Sequence, residues 1–157
     1  MALVLSELRK NYQGREIIPA WNHRFEPHAR VAILGGNGSG KSTFLKLLSG
    51  QLSPSQGTMT CPEISADDWA ITVSYTGPHV DFQDAFTPRE LFAQHQEWRP
   101  LRPEASLEAI PLPVEALDRP LRDFSSGMKQ RIKLALAIWT DAPILLLDEP
   151  CSHLDQA

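Results

Sequence analysis

The residues best suited to chemistry form the stretch Gly35-Gly36-Asn37-Gly38-Ser39-Gly40-Lys41-Ser42-Thr43. Gly35, Gly40, Lys41 and Ser42 satisfy the spacing G-x-x-x-x-G-K-[ST]. A phosphate chain is gripped by converging backbone N–H groups, and a loop poor in Cβ atoms lets them converge. A helix starting at the lysine would add its unbonded first-turn N–H groups and its dipole to the same anion. In this spacing Lys41 is expected to pair with the β- and γ-phosphates, and the Ser42 hydroxyl to ligate Mg²⁺. Four specified positions make a chance glycine-rich turn a poor alternative.

A second group lies at Ile144-Leu145-Leu146-Leu147-Asp148-Glu149, an apolar run that ends on two acids. Open α/β sheets bind ligands at the carboxyl ends of their strands. Asp148 is expected to hold Mg²⁺, through water, and Glu149 to polarise an attacking water. Alone, an acid-capped apolar strand is commonplace. Downstream of the glycine loop it becomes the carboxylate partner that the metal requires. A third stretch, Phe124-Ser125-Ser126-Gly127-Met128-Lys129-Gln130-Arg131, is by itself a serine-led helix start, notable because its helix leads directly into the acidic strand.

These groups need elements to hold them. "ALVLSEL" alternates apolar and polar residues, as a half-buried strand does. "REIIPAWNHRFEP" reads as a further strand, with Pro19 favouring an edge or irregular position. "ARVAILGG" predicts a buried parallel strand before the glycine loop, and "KSTFLKLLSG" a helix with Phe44, Leu45, Leu47 and Leu48 inward and Gly50 as its stop. "WAITVSY" predicts another strand. "TPRELFAQHQEW" opens on a Thr-Pro helix start, and the five prolines of "RPLRPEASLEAIPLPVEALDRPLRD" rule out one long helix. Residues 82–123 are therefore expected to form a small helical subdomain inside one domain spanning 1–157. "SSGMKQRIKLALAIWTD" predicts a long helix and "PILLLDE" the last strand, an α/β order of elements.

With 157 residues, 42% of them hydrophobic and 22% charged, the chain has the composition of an ordinary globular domain. A formal charge of −4 gives no basic field, so no nucleic-acid partner is expected. Cys61 and Cys151 lack metal-ligand spacing and read as free thiols of a reducing compartment. No apolar run reaches the roughly 18–20 residues that span a bilayer, and "MALVLSELRKNYQG" has no signal-peptide pattern.

Together, "GGNGSGKST", "FSSGMKQRIKLALAI", "ILLLDEP" and "SHLD" resemble the ATP-binding cassette proteins, the ATPase subunits of ABC transporters. The likeness covers essentially the whole chain. It implies a P-loop NTPase core with an N-terminal antiparallel β region and a small helical subdomain. ATP and Mg²⁺ are the implied cofactors. The implied partners are a second copy, closing head-to-tail over two ATP molecules, and a separate transmembrane permease subunit. The cassette would be cytoplasmic, peripheral on the inner face of the membrane. By this likeness Ser125, Ser126 and Gly127 would meet the γ-phosphate of the other copy. The usual L-S-G-G-Q departs here, with Phe124 for Leu, Ser126 for the first Gly and Met128 for Gln.

Tyr12 stands where the family places an aromatic on adenine; a surface aromatic near a strand end is the competing reading. His79, or Pro78 in a shifted alignment, stands where the family has a metal-sensing glutamine. A neutral imidazole can coordinate water or metal, and an ordinary loop histidine explains His79 as well. Asp155 of "SHLD" would support the dimer contact. "VSYTGPHVDFQDAFTPREL" looks most like single-cassette bacterial subunits of the haem-exporter, cytochrome c maturation, type.

Two other readings are weighed against the transporter subunit. A soluble relative acting on ribosomes or DNA would carry two cassettes or a coiled-coil insertion between motifs, and the proline-rich middle here is neither. A non-hydrolysing nucleotide-binding fragment would follow from C-terminal truncation, because the family's switch histidine and last strands would fall after Ala157, and His153 is too near Glu149 to serve. On that expectation, steady-state phosphate release is much slower for the 157-residue chain than for a version extended past Ala157, with Glu149→Gln as the blank. Equal rates for the two would overturn it.

Overall fold

The computed structural model describes residues 1–152, so His153 and Asp155 lie outside the described residues. Two compact units divide the chain, the first ending at Thr72 and the second beginning at Val73.

In the first unit, β1 (Leu3–Tyr12), β2 (Arg15–Phe25) and β3 (Gln56–Thr60) form an antiparallel sheet in the order β2-β1-β3. The core residues Leu3, Leu5 and Leu8 of β1 are spaced two and then three apart, which a regular strand would split between faces. A bulge restores the phase. The register shifts between Leu5 and Leu8, Glu7 takes a φ of 51°, and Leu8 returns to the buried side. Pro19 falls in the outer strand β2, where a missing N–H is tolerated, at the register shift between Leu8 and Lys10 of its neighbour.

Helix α1 (Lys41–Leu48) buries Phe44, Leu45, Leu47 and Leu48, as its spacing predicts, and Gly50 follows it with a φ of 78°. It is fastened to the sheet by aromatic contacts. Trp21, His23 and Phe25 alternate along β2; Trp21 stacks on His23 at 5.1 Å, and the Trp21 and Phe44 rings lie 4.9 Å apart. At the other end of α1, the Trp69 indole N–H donates to the Leu48 carbonyl at 3.1 Å.

Two strand expectations need correction. Residues 29–36, "ARVAILGG", form no strand and are largely exposed, Val31 at 58% and Leu34 at 89%. A parallel strand exists only through bonds to neighbours, and among the described residues this segment has no ladder partner. The first half of "WAITVSY" is a helical turn, α2 (Trp69–Thr72), and only β4 (Val73–Thr76) is extended. Local bonds decide it: the Ser65 hydroxyl accepts from the Asp68 N–H, and the Thr72 N–H and hydroxyl both donate to the Asp68 carbonyl.

In the second unit, β4 pairs in parallel with β5 (Ile144–Leu147), from Val73 opposite Ile144 to Thr76 opposite Leu147. Helix α3 (Pro88–Trp98) opens with a complete capping box between Thr87 and Glu90. The prolines break the next stretch into 3-10 turns at Leu107–Ala109, Val114–Asp118 and Leu121–Asp123. Helix α4 (Ser126–Trp139) follows. Leu91, Phe92, Ile110, Ala116, Leu121 and Phe124 bury against Ile132 and Leu136 of α4, so residues 82–123 share one core with that helix. Trp98, by contrast, is 79% exposed. The Ser74 hydroxyl donates to the Ala137 carbonyl at 2.8 Å, tying β4 to α4.

His95 of α3 is half-buried, with a ring nitrogen 3.0 Å from the Thr140 hydroxyl. That hydroxyl spends its hydrogen on the Leu136 carbonyl, so the imidazole Nε2–H must be the donor. Burial first, and Arg99 second, lower the His95 pKa below 6.5. A lowered folded-state value means that the stability present above the unfolded pKa is lost as pH falls through the folded one. Unfolding free energy is therefore expected to decline as pH drops from about 7 towards 5. His95→Gln, which can still donate to Thr140, should flatten that decline in denaturant titrations at several pH values. An unchanged slope would overturn the assignment.

Candidate functional site: a glycine loop and a buried acid

The glycine loop belongs to the first unit. Its backbone turns on Gly38 and Gly40, with φ of 76° and 93°, conformations that other residues adopt only with strain. Gly40 also lacks room: a Cβ would lie 3.0 Å from Ile18 Cδ1 and 3.2 Å from the Ile17 carbonyl oxygen. Gly36 is the opposite case, with nothing within 4 Å of a Cβ and no positive φ. The Ser39 N–H donates to the Gly36 carbonyl at 3.3 Å, closing the turn.

Lys41 is the first residue of α1, and its ammonium donates to the carbonyls of Gly35 at 2.8 Å and Gly36 at 2.9 Å. The loop is thus folded around its own lysine. Gly40 caps the helix without a side chain, and the first turn carries no acid, so neither a capping side chain nor a carboxylate of that turn competes with an incoming anion for the helix N–H groups. Asn37 and Ser39 are exposed on the loop, and Ser42 and Thr43 are half-buried in the first turn. An open loop of backbone N–H groups, left without Cβ atoms at Gly36 and Gly38, has the form a phosphate chain needs. Tyr12, at the end of β1, is 43% exposed, and the Lys10 ammonium stands 4.9 Å from its ring centroid.

The acidic pair belongs to the second unit, and its two members differ. Asp148 is 3% exposed, and its N–H donates to the Thr76 carbonyl at 2.9 Å, continuing the β4–β5 ladder by one step. The Tyr75 hydroxyl donates to Asp148 Oδ2 at 3.3 Å. Burial, then Asp148, push the Tyr75 pKa up to about 12, so the phenol keeps its proton. Glu149 is exposed and takes a left-handed φ of 49°, turning its carboxyl off the strand direction; its carbonyl accepts from the Ser152 N–H. His79 lies exposed in the turn after β4. Among the described residues no three His, Cys, Asp or Glu side chains form a metal-holding group, so His79 is not gathered with Asp148 and Glu149 into one.

The Ser125 hydroxyl caps α4, accepting from the Met128 N–H at 3.2 Å, and Ser126 begins the helix. Ser125 and Ser126 are exposed and Gly127 is half-buried. Two of the three departures from the usual pattern, Phe124 and Met128, have packing reasons. Phe124 is core, and Met128 packs against the same cluster instead of facing outward as a polar residue. Two contacts escaped the sequence reading. Tyr75 meets Asp148, and the buried Gln130 amide donates to the Pro150 carbonyl at 3.0 Å, linking α4 to the turn after the acids. Neither has a local signal, because each joins residues far apart in the chain.

The sequence profile of the family described as ABC transporter matches residues 20–152. The chain belongs to the ABC transporter family. Among curated relatives of this ABC chain, the probable ATP-binding protein YheS of Escherichia coli O6:H1 is 31% identical over 98% of the chain and 24% of its own length. The aliphatic sulfonates import ATP-binding protein SsuB of Albidiferax ferrireducens is 35% identical over 98% of the chain and 55% of its own length. The ABC chain therefore spans about a quarter of the first relative and about half of the second. A putative ABC transporter ATP-binding protein from Pyrococcus furiosus has the same fold, with a TM-score of 0.84 at 20% identity over 99% of this chain and 79% of that one. Among the described residues no helix of the ABC chain is long and apolar enough to cross a membrane.

Gly40→Ala and Gly36→Ala separate the loop's fold from its use. Gly40→Ala should cost the first unit about 1–3 kcal/mol in denaturant titrations, through the positive φ and the Ile17–Ile18 contact. Gly36→Ala should leave stability within about 0.5 kcal/mol yet weaken ATP binding measured by calorimetry, because its Cβ enters the open loop. Full ATP affinity in Gly36→Ala would remove nucleotide from this loop.

Proposed function

We propose that the chain is the ATP-binding, ATP-hydrolysing part of an ABC transporter, powering solute movement through a separate membrane permease. The observation that carries this reading is the loop wrapped on Lys41, in a chain whose family membership is shown. In the first unit, the loop from Gly35 to Thr43 holds the phosphates, Lys41 moves from its own loop carbonyls to the β- and γ-phosphates, and Ser42 offers a metal ligand. Tyr12 supplies the stacking face for adenine.

In the second unit, Asp148 is the carboxyl for Mg²⁺ and Glu149 orients the attacking water, with His79 as a further polar group of the loop after β4. Buried placement suits a metal-holding acid, because a carboxyl out of water interacts more strongly with a cation. An exposed, turned-out Glu149 suits a residue that must reach water. Mg²⁺, when bound, neutralises charge on the phosphates; positioning and electrostatic stabilisation by Lys41 and the helix ends supply most of the rest.

Two copies close over two ATP molecules, with the exposed Ser125, Ser126 and Gly127 of one presented to the nucleotide of the other and Asp155 in the dimer contact. The start of a helix is suited in general to meet a γ-phosphate, which supports this role for α4. Residues 82–123 act as the helical subdomain facing the permease, and the cassette works on the cytoplasmic face of the membrane. The stretch "VSYTGPHVDFQDAFTPREL" supports the single-cassette haem-exporter subfamily within this reading.

The test is a pair of variants followed by binding and turnover. Lys41→Ala should weaken ATP binding at least about tenfold, as expected for loss of a charge-assisted contact worth some 1.5–3 kcal/mol. Glu149→Gln should bind ATP like the parent, release phosphate about 100-fold more slowly, and shift towards a dimer in ATP on size exclusion. Unchanged ATP affinity in Lys41→Ala would overturn the reading.

A further inference from the structure

The parallel register sets Tyr75 opposite Leu146, and Asp148 lies two residues beyond Leu146, just past the end of β5. Side chains two apart on a strand share a face, so the pairing of β4 with β5 brings the Tyr75 hydroxyl to the carboxyl of Asp148, at 3.3 Å from Oδ2. Gly77 makes this approach possible. A Cβ at that position would stand 2.7 Å from Tyr75 Oη, which would have to shift, and 3.0 Å from Asp148 Cβ, a tight contact. Three residues thus define one contact: a donor, an acceptor and a gap where a side chain is missing.

The Asp148 terminal torsion is a broad rotor, so its hydrogen-bond partners decide which orientations the carboxyl samples. A hydrogen bond to one oxygen restricts that rotation. The choice of donor matters as well. A lysine or arginine in the same place would orient the carboxyl but also repel a cation, whereas a phenol orients it at no cost in positive charge. Partners of this kind fix the ligand's geometry and raise metal affinity in sites where the ligand itself touches the ion or its water.

We propose that Tyr75 is a positioning residue for the metal: its hydroxyl holds Asp148 Oδ2 and so fixes the carboxyl that Mg²⁺ uses in the nucleotide complex, with Gly77 as the spacer. This rests on the reading of Asp148 as the metal-holding acid. Its consequence is specific. Removing the hydroxyl weakens the metal and leaves the nucleotide's other contacts alone.

Three variants decide it, each measured in two ways: ATP affinity in EDTA by calorimetry, and Mn²⁺ affinity of the ATP complex by electron paramagnetic resonance. Tyr75→Phe keeps the ring and should retain metal-free ATP affinity within about twofold while losing Mn²⁺ affinity about three- to tenfold. Gly77→Ala displaces the hydroxyl and should lose Mn²⁺ affinity to the same extent; it serves as the independent readout if Tyr75→Phe does not fold. Asp148→Asn tests the underlying reading and should remove most of the Mn²⁺ affinity. If Asp148→Asn loses it but Tyr75→Phe, or Gly77→Ala in its place, stays within twofold, the positioning role is overturned and the metal reading stands. If Asp148→Asn binds Mn²⁺ normally, the metal reading fails and takes the proposal with it. Equal losses of metal-free ATP and Mn²⁺ affinity in Tyr75→Phe would show a general packing role and also overturn the proposal.

Discussion

A carboxyl group removed from water must be hydrogen-bonded, and Asp148, at 3% exposure, sets that demand on the second unit. On the neighbouring strand the Tyr75 hydroxyl meets the carboxyl at Oδ2, and the Thr76 carbonyl takes the Asp148 backbone N–H. Both depend on β4 running parallel to β5 in one register, since a shift of one residue would turn Tyr75 to the opposite face. The register is in turn fixed from outside the sheet. Ser74 donates to the Ala137 carbonyl of α4, and the Arg99 guanidinium donates to the Val73 carbonyl at 3.0 Å. Helix α4 and the end of α3 therefore serve the acid as well as their own core.

The first unit answers a different constraint, that of folding a glycine-rich loop tightly onto the start of a helix. The positive φ at Gly38 and Gly40, the uncapped start of α1 and the loop closed on Lys41 all follow from it. The sheet supplies the anchorage. The bulge at Glu7 keeps Leu8 in the core, and the Trp21–Phe44 contact holds α1 to β2. Aromatic contacts of this kind contribute about 0.5–1.5 kcal/mol beyond area burial, enough to matter for a helix of only two turns.

Most of the fold was legible because its signals are local. The Thr87–Glu90 capping box, the Ser125 cap, the buried face of α1 and the proline-broken turns after α3 each rest on residues within a few positions of one another. The misreadings came where type depends on neighbours. "ARVAILGG" has a strand's composition but no ladder partner among the described residues, and "WAIT" is drawn into a turn by bonds around Asp68. In the candidate site, the spacing from Gly35 to Thr43 was readable as a unit because phosphate binding needs contiguous residues. Tyr75 and Gln130 were not, because their partners are distant in sequence.

By itself the sequence determined the chemistry on offer: a lysine after a glycine loop, two acids at a strand end, and a serine-led helix between them. These follow from residue type and spacing, which survive any arrangement of the chain. Tertiary structure decided how the two acids differ and who supports them. Asp148 is buried against Tyr75 and Glu149 is turned outward at a φ of 49°, although they are adjacent and similar in kind. The physical reason is that burial and hydrogen bonding belong to the pairing of strands, which no single stretch of sequence contains.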